Sequence, residues 1–259
     1  MLVPNLCGGL GNNLFQIFSV YGLSNKYGHD FRIKDIPLPP IKHSKIDYKE
    51  RIFKRLNNYV EKDVNIDFII NSKENPLNEY QIGLIEDNLD KNIMIDGYLQ
   101  VCEYFEGYRR EILDLLEFEE EVIGRYEDIN EAYFMHIRLG DYVNNSFHYI
   151  NLEDYYKRCI EEIGKPSICY LFSNQIELCM DKEFIKDIRV REIEEDEINS
   201  LYIMSKCGKG GIGGNSTFSW WGLYLNNERE YLYFPEKFYP HNLIYEGGYN
   251  FEGLKRVKI

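Results

Sequence analysis

Three times in its second half the chain repeats one order: an apolar strand, a short polar loop, a helix. AYFMHI (Ala132–Ile137) leads into RLGDY, and SICYLF (Ser167–Phe172) leads into SNQ and a helix from Ile176. GKGGIGG (Gly208–Gly214) leads into NST and then FSWWGLYL. Before the third, DEINSLYIMSKC (Asp196–Cys207) has helical spacing at Ile198, Leu201 and Met204 or Ser205. Such alternation predicts parallel strands joined by crossover helices. It recurs as architecture, with no sequence repeat at a solenoid period. In open parallel sheets, ligands bind beyond the carboxyl ends of the strands. That rule sets Arg138, Gly140, Asp141, Ser173, Asn174, Asn215, Ser216 and Thr217 along one edge of one sheet.

The first half opens the same way. Leu2–Cys7 reads as a buried strand, GGLGNN as a glycine-rich loop, and Asn13–Tyr27 as a helix with Leu14, Phe18 and Tyr21 on one face. Gly28 is the expected stop and Phe31–Ile33 the next strand. Residues 35–92 give weaker signals: PLPP (Pro37–Pro40) breaks structure, and short helices and long loops are expected. Ile93–Gln100 returns to an apolar strand, and Tyr104–Phe118 has helical spacing at Ile112, Leu115 and Leu116. The acidic run at Glu119–Glu121 and the polar stretch to Asn130 suggest a boundary. We therefore read an N-terminal domain over 1–129 and a C-terminal domain over 130–259.

Charge narrows the partners. A formal net charge of −13 argues against nucleic acid, which needs phosphate neutralisation over a wide surface. It leaves open an anionic small molecule, which needs only local positive charge. The six cysteines form no C-x-x-C pair, so zinc and thioredoxin-type chemistry are not indicated and buried, reduced thiols are expected. MLVPNLCGGLGNN lacks the basic start and unbroken apolar run of a signal peptide. No run approaches the ~18 apolar residues of a membrane span. The expectation is a cytoplasmic protein.

Three stretches carry candidate chemistry. In GGLGNN, Gly9 and Gly11 begin a dinucleotide fingerprint, but Leu14 stands where its third glycine belongs. The loop still lets backbone N–H groups approach an anion at a helix N-terminus; a tight turn without a ligand would also use these glycines. In HIRLGD, Arg138 ends a strand beside a glycine, where a guanidinium can grip phosphate bidentately. His136 lies on the same side of that strand. An Arg138–Asp141 turn salt bridge with a hydrogen-bonded histidine is the plainer account. In GNSTFSWWG, Ser216 or Thr217 is placed to cap a helix. Trp220 and Trp221 read as core, while Gly213, Gly214 and Asn215 leave the backbone open. No metal-ligand cluster and no nucleophile elbow is visible.

Together these stretches resemble the α-1,2-fucosyltransferases of glycosyltransferase family 11. GGLGNNLFQ resembles the family's G-G-L-G-N-Q-hydrophobic-F-Q signature, and GYLQVCEYF (Gly97–Phe105) its G-Y-[FW]-Q-x-x-x-Y-F segment. HIRLGDY resembles H-x-R-R-G-D-Y, LFSNQIE resembles F-S-[DN]-D-I-E, and GNSTFSWWG resembles [AS]-N-S-[ST]-F-S-W-W-G. The five matches keep the family's order from Gly8 to Gly222.

The resemblance implies a GT-B-type α/β fold: two Rossmann-like domains with the active site in the cleft between them. It implies an inverting transfer of fucose from GDP-fucose to an acceptor glycan, by family default the O2 of a terminal galactose, without a metal or other cofactor. By the same resemblance, His136 lies near the guanosine and Arg138 holds the diphosphate. Ser173, Asn174 and Gln175 sit near guanine or ribose, and Asn215, Ser216, Thr217 and Ser219 line the phosphates. The loop bearing Gly9, Gly11, Asn12 and Asn13 faces the donor, and Asp141 is the candidate base. Three positions depart from the pattern. Leu139 replaces a second arginine, leaving one motif guanidinium for two phosphates, with Lys206 or Lys209 as candidate helpers. Asn13 replaces a glutamine. Gln175 replaces an acidic residue able to read the guanine edge. Two rivals follow: a GDP-sugar-binding pseudoenzyme, motivated by Leu139 and Gln175, and a dinucleotide or S-adenosylmethionine enzyme using Asp30 or Asp35 as ribose partner.

Overall fold

The computed structural model describes residues 1–35, 46–72, 76–143, 145–164, 167–226, 228–240 and 246–259. The Pro37–Pro40 breaker lies outside the described residues. The chain forms two compact units, Met1–Glu117 with Gly247–Asn250, and Phe118–Glu246 with Phe251–Ile259. Residues 118–129, assigned to the first domain on their acidic and polar character, thus belong to the second unit. Short 3-10 turns, Glu120–Arg125 and Ile129–Glu131, bury Val122 and Ile129 there.

In the first unit, β1 (Leu2–Pro4) leads to α1 (Leu10–Tyr27) and on to β2 (Ile33–Lys34), β3 (Val60–Glu61) and β4 (Phe68–Ser72). Then come α2 (Glu79–Glu86), β5 (Ile93–Gly97) and α3 (Arg109–Leu115). β1, β5 and β4 form a parallel sheet in that order, and β2 pairs with β3. The helix begins earlier than its apolar spacing implied. Gly9 is its N-cap, and the Asn12 and Asn13 N–H groups both bond the Gly9 carbonyl. Gly28 ends it with φ 77°, in the left-handed conformation glycine takes without penalty. The segment expected to be helical from Tyr104 instead runs through 3-10 turns before α3.

The second unit runs β6 (Ala132–Ile137), α4 (Glu153–Ile163), β7 (Ile168–Ser173), α5 (Ile176–Met180) and α6 (Glu183–Lys186). It continues β8 (Arg189–Glu192), α7 (Glu197–Lys206), β9 (Gly210–Ile212), α8 (Thr217–Leu225), β10 (Tyr231–Pro235) and β11 (Lys255–Val257). All six strands are parallel, in the order β11-β10-β9-β6-β7-β8. The chain proceeds from β6 to one side through β7 and β8. It then returns to the other side through β9, β10 and β11. The α/β, parallel-sheet expectation therefore holds.

Both faces of β6 are buried, as its unbroken apolar run requires. Tyr133, Met135 and Ile137 pack with Tyr155, Tyr156 and Cys159 of α4. The tryptophan pair is core. Both rings are 0% exposed, with Trp220 stacked on Tyr224 at 4.9 Å and edge-on to Phe251 at 5.5 Å. Burying rings of this size stabilises by roughly 4–6 kcal/mol each on area alone, an upper bound. The pair anchors α8, and α8 fixes the loop before it.

Candidate active site

The strand order reverses at β6. Loops leaving β6 and β9 part to opposite sides there, the crevice in which open α/β sheets take their ligands. The registers bring the carboxyl ends level: Ile137 pairs with Ser173 on β7, and Met135 with Ile212 on β9. His136, Arg138, Asp141, Ser173, Asn174, Gln175, Asn215, Ser216, Thr217 and Ser219 thus stand on the ends of three adjacent strands or the loops and helix beginning just beyond.

The turn after β6 is held by side-chain amides. Leu139 N–H donates to Asn174 Oδ1 at 2.9 Å, and Gly140 N–H to Gln175 Oε1 at 3.0 Å. Gln175 N–H in turn donates to Ser173 Oγ at 3.0 Å. Gly140 has φ 61°, and a Cβ there would lie 2.3 Å from Asn174 Nδ2. Glycine is therefore required by both conformation and space. Within this turn Arg138 Nη2 donates to Asp141 Oδ1 at 2.8 Å, and its guanidinium lies 5.5 Å from the Tyr142 ring centroid. Arg138 remains part-exposed, with 27% of its side chain accessible. Burial pushes the Tyr142 phenol up to about 12, so it stays protonated and donor-capable.

The loop after β9 is built differently. Asn215 Nδ2 donates to the His148 carbonyl at 2.9 Å and the Phe238 carbonyl at 3.1 Å. Its amide thus ties three loops together. Ser216 Oγ caps α8 by accepting from Phe218 N–H at 3.2 Å. Ser219 Oγ accepts from Gly214 N–H at 3.1 Å and is hydrogen-bonded to His136 Nδ1. His136 is 5% exposed. Burial first, then the Arg138 charge, holds its pKa down to about 3, so the ring is neutral at working pH. Tyr156 OH donates to the His136 carbonyl at 2.9 Å. Of the groups that the resemblance placed on the donor, His136 Nδ1, Asn215 Nδ2, Ser216 Oγ and Ser219 Oγ are engaged by the scaffold. What they present is a fixed backbone loop at the N-terminus of α8, where the helix dipole favours an anion.

Beside the turn lies an open pocket. Arg138, Leu139, Tyr142, Tyr156, Lys182 and Asn215 are among its walls. Lys206 and Lys209, the candidate helpers, stand elsewhere. Lys209 N–H bonds the carbonyl of Ala132, the first residue of β6, so it sits at the amino edge. Lys206 ends α7, its ammonium 5.1 Å from the Tyr202 ring. The reason is topological: a crossover helix returns the chain to the edge where the next strand starts. Lys182 lines the same pocket as Arg138. No sequence motif marks Lys182, which lies directly ahead of α6.

In the first unit, the glycine-rich loop is braced in its own way. Asn13 and Gln16 are fully buried. Asn13 Nδ2 donates to the Cys7 carbonyl at 2.9 Å, and Gln16 Oε1 accepts from Cys7 N–H at 3.0 Å. Asn12 Oδ1 accepts from Gln100 Nε2 at 3.2 Å, and Gln100 Oε1 accepts from Tyr249 OH at 2.6 Å. Leu99, between them in sequence, has φ 51° and is fully buried. GYLQ is thus a strained corner whose glutamine steadies the loop through Asn12. Gly9 and Gly11 stand at the N-cap and in the first turn of α1.

Comparison with known proteins places this geometry. The model for glycosyl transferase family 11 matches residues 78–240, well over half of the chain. The chain belongs to this family. It is 27% identical to a galactoside 2-alpha-L-fucosyltransferase of Caenorhabditis elegans, over 88% of this chain and 70% of that one. It is 25% identical to an alpha-1,2-colitosyltransferase of Escherichia coli, over 88% of each. In fold it resembles the NodZ alpha-1,6-fucosyltransferase soaked with GDP-fucose, with a TM-score of 0.51 at 13% identity. That match covers 86% of this chain and 92% of that one. A family 11 member is a glycosyltransferase, which sets aside the dinucleotide and S-adenosylmethionine rival. Among the described residues no helix is long and apolar enough to cross a membrane, and no group of three or more His, Cys, Asp or Glu is placed to hold a metal.

Proposed function

We propose that the protein is an inverting fucosyltransferase that moves L-fucose from GDP-fucose to a galactose hydroxyl, in α-1,2 linkage. The observation that carries the reading is Arg138, presented at the strand-order reversal on a turn clamped by Asn174 and Gln175. The names of the worm and Escherichia coli relatives support the α-1,2 linkage, and that of the worm enzyme supports fucose and a galactoside acceptor.

In the proposed reaction the acceptor oxygen attacks fucose C1 from the face opposite the leaving group. The C1–O bond to the diphosphate breaks, and its electron pair goes to the β-phosphate. Arg138 exchanges Asp141 for phosphate oxygens, and the N-terminus of α8 adds its dipole. Both supply charge where charge develops, which accelerates the step only to the extent that they bind the transition state more tightly. Asp141, released from Arg138, is the candidate acceptor for the hydroxyl proton. No metal takes part in this step.

Leu139 favours a second reading, a binder of GDP-sugars without turnover or a transferase of a related sugar. Calorimetric titration with GDP, UDP, ADP and CMP, with and without EDTA, tests the first claim. GDP preferred equally in both conditions, with GDP released from GDP-fucose when a galactoside is present, is the expected result. Preference for another base, or a requirement for metal, contradicts it. GDP binding without turnover on any galactoside selects the second reading.

A further inference from the structure

Leu139 leaves the turn one guanidinium short for a diphosphate, and the guanidinium that remains is already paired with Asp141. The whole chain carries a net charge of −13, so positive potential has to be supplied locally. Among the described residues, Arg138 and Lys182 are the two cations lining the pocket. Lys182 lies between α5 and α6, where its N–H bonds the Cys179 carbonyl. Its ammonium meets Glu153 Oε1, on the first residue of α4, at 2.6 Å.

We infer that Lys182 is the second cationic contact for the diphosphate of the bound nucleotide, doing from the residue ahead of α6 what a second motif arginine would do from the turn. This rests on the proposed reading of the site as a nucleoside-diphosphate site. Three features argue for it. Leu139 and Lys182 line the same pocket, so the charge missing at one wall is present at another. The side chains of Lys182 and Glu153 are 36% and 41% accessible, so the pair is neither sealed nor sterically locked. Exposed pairs of this kind hold together weakly, and a lysine ammonium is a point charge on a flexible stem. Both cations are thus parked on carboxylates that a phosphate can replace, Arg138 on Asp141 and Lys182 on Glu153. A buried pair would pay a large penalty for that exchange; these do not.

The plainer account makes Lys182–Glu153 a brace between α4 and the α5–α6 turn. Calorimetry with guanosine, GMP and GDP on the unmodified protein, Lys182→Gln and Glu153→Gln separates the two. We expect Lys182→Gln to weaken GDP by about 10-fold or more while guanosine changes by less than about two-fold. Glu153→Gln should leave GDP binding unchanged or tighten it, because it releases the ammonium. Lys182→Gln binding GDP within about two-fold of the unmodified protein overturns the inference. So does Glu153→Gln losing GDP as severely as Lys182→Gln, which would identify a brace, and so does equal loss of guanosine. Failure of the unmodified protein to bind GDP is a different result. It removes the nucleotide reading itself and Lys182 with it.

Discussion

The loop after β1 and the turn after β6 solve the same problem with different chemistry. Each follows the carboxyl end of a parallel strand, and each is pinned by buried or bridging amides. Asn13 and Gln16 hold Cys7 in one; Asn174 and Gln175 hold Leu139 and Gly140 in the other. Amides suit the task because they offer an acceptor and donors without a charge to desolvate. The difference lies in what the braced backbone carries. Residues 8–13 hold no ionisable group. The turn holds Arg138 and Asp141 and borders a pocket with a second cation. Similar scaffolding thus gives a neutral surface in one unit and a charged one in the other. In the proposed reaction, electrostatic work on the phosphates falls to the charged one.

Removing the charge should have the largest effect. Arg138→Ala is expected to lower turnover by at least ~100-fold with the melting temperature little changed. Arg138→Lys should also be poor, because the fork is lost. Turnover within a few-fold of the unmodified protein would erase the distinction between the two loops. Gly140→Ala attacks the scaffold of the charged turn instead. It forces a left-handed backbone and a clash with Asn174, so stability should fall by about 1–3 kcal/mol and turnover by roughly 10-fold. Chemical denaturation and initial rates read both. The matching insult to the neutral loop is Gln16→Leu, which leaves Cys7 N–H without its acceptor. We expect a loss of about 1–3 kcal/mol in stability, and at saturating donor a smaller drop in turnover than Gly140→Ala gives. A drop as deep as that of Arg138→Ala would show that the neutral loop does more than shape the surface.

The smallest effect sharpens the comparison through pH. His136 has its pKa held down to about 3 by burial. The unfolded chain therefore binds its proton first, as pH falls below the ordinary histidine value near 6.5. Its contribution to stability is complete above that value and is lost progressively as pH falls toward about 3. His136→Gln should flatten the decline of stability between about pH 6.5 and 4. An unchanged slope would mean the ring is not buried neutral beneath the Ser219 hydroxyl.

Much of this was legible in sequence, for physical reasons that differ by region. β6 and its neighbours announced themselves because a strand buried on both faces must be continuously apolar. GNSTFSWWG fixed the start of α8 because Ser216 is a good cap and two tryptophans have nowhere to go but inward. Helix α1 was misplaced at its start because glycines and asparagines are poor helix formers. Here the Gly9 carbonyl and buried amide contacts override that preference. In Tyr104–Phe118 the helical spacing at Ile112 and Leu115 is met by α3, but the residues before Arg109 form 3-10 turns and the helix stops at Leu115. The bond from Gly140 N–H to Gln175 Oε1 joins residues far apart in sequence, so no local pattern announces it. Lys206 and Lys209 are close to β9 in sequence, which says nothing about which edge of the sheet they reach. Lys182 had no signal at all, since a lone lysine between short helices looks like any surface residue.

The proposed function requires the carboxyl edge of β6, β7 and β9 to hold the nucleotide. Hydrogen–deuterium exchange with and without saturating GDP tests it most directly. Slowed exchange concentrated at residues 138–142 and 214–219 is expected. GDP binding confirmed by calorimetry, with those two segments exchanging as before and protection falling elsewhere, would contradict it.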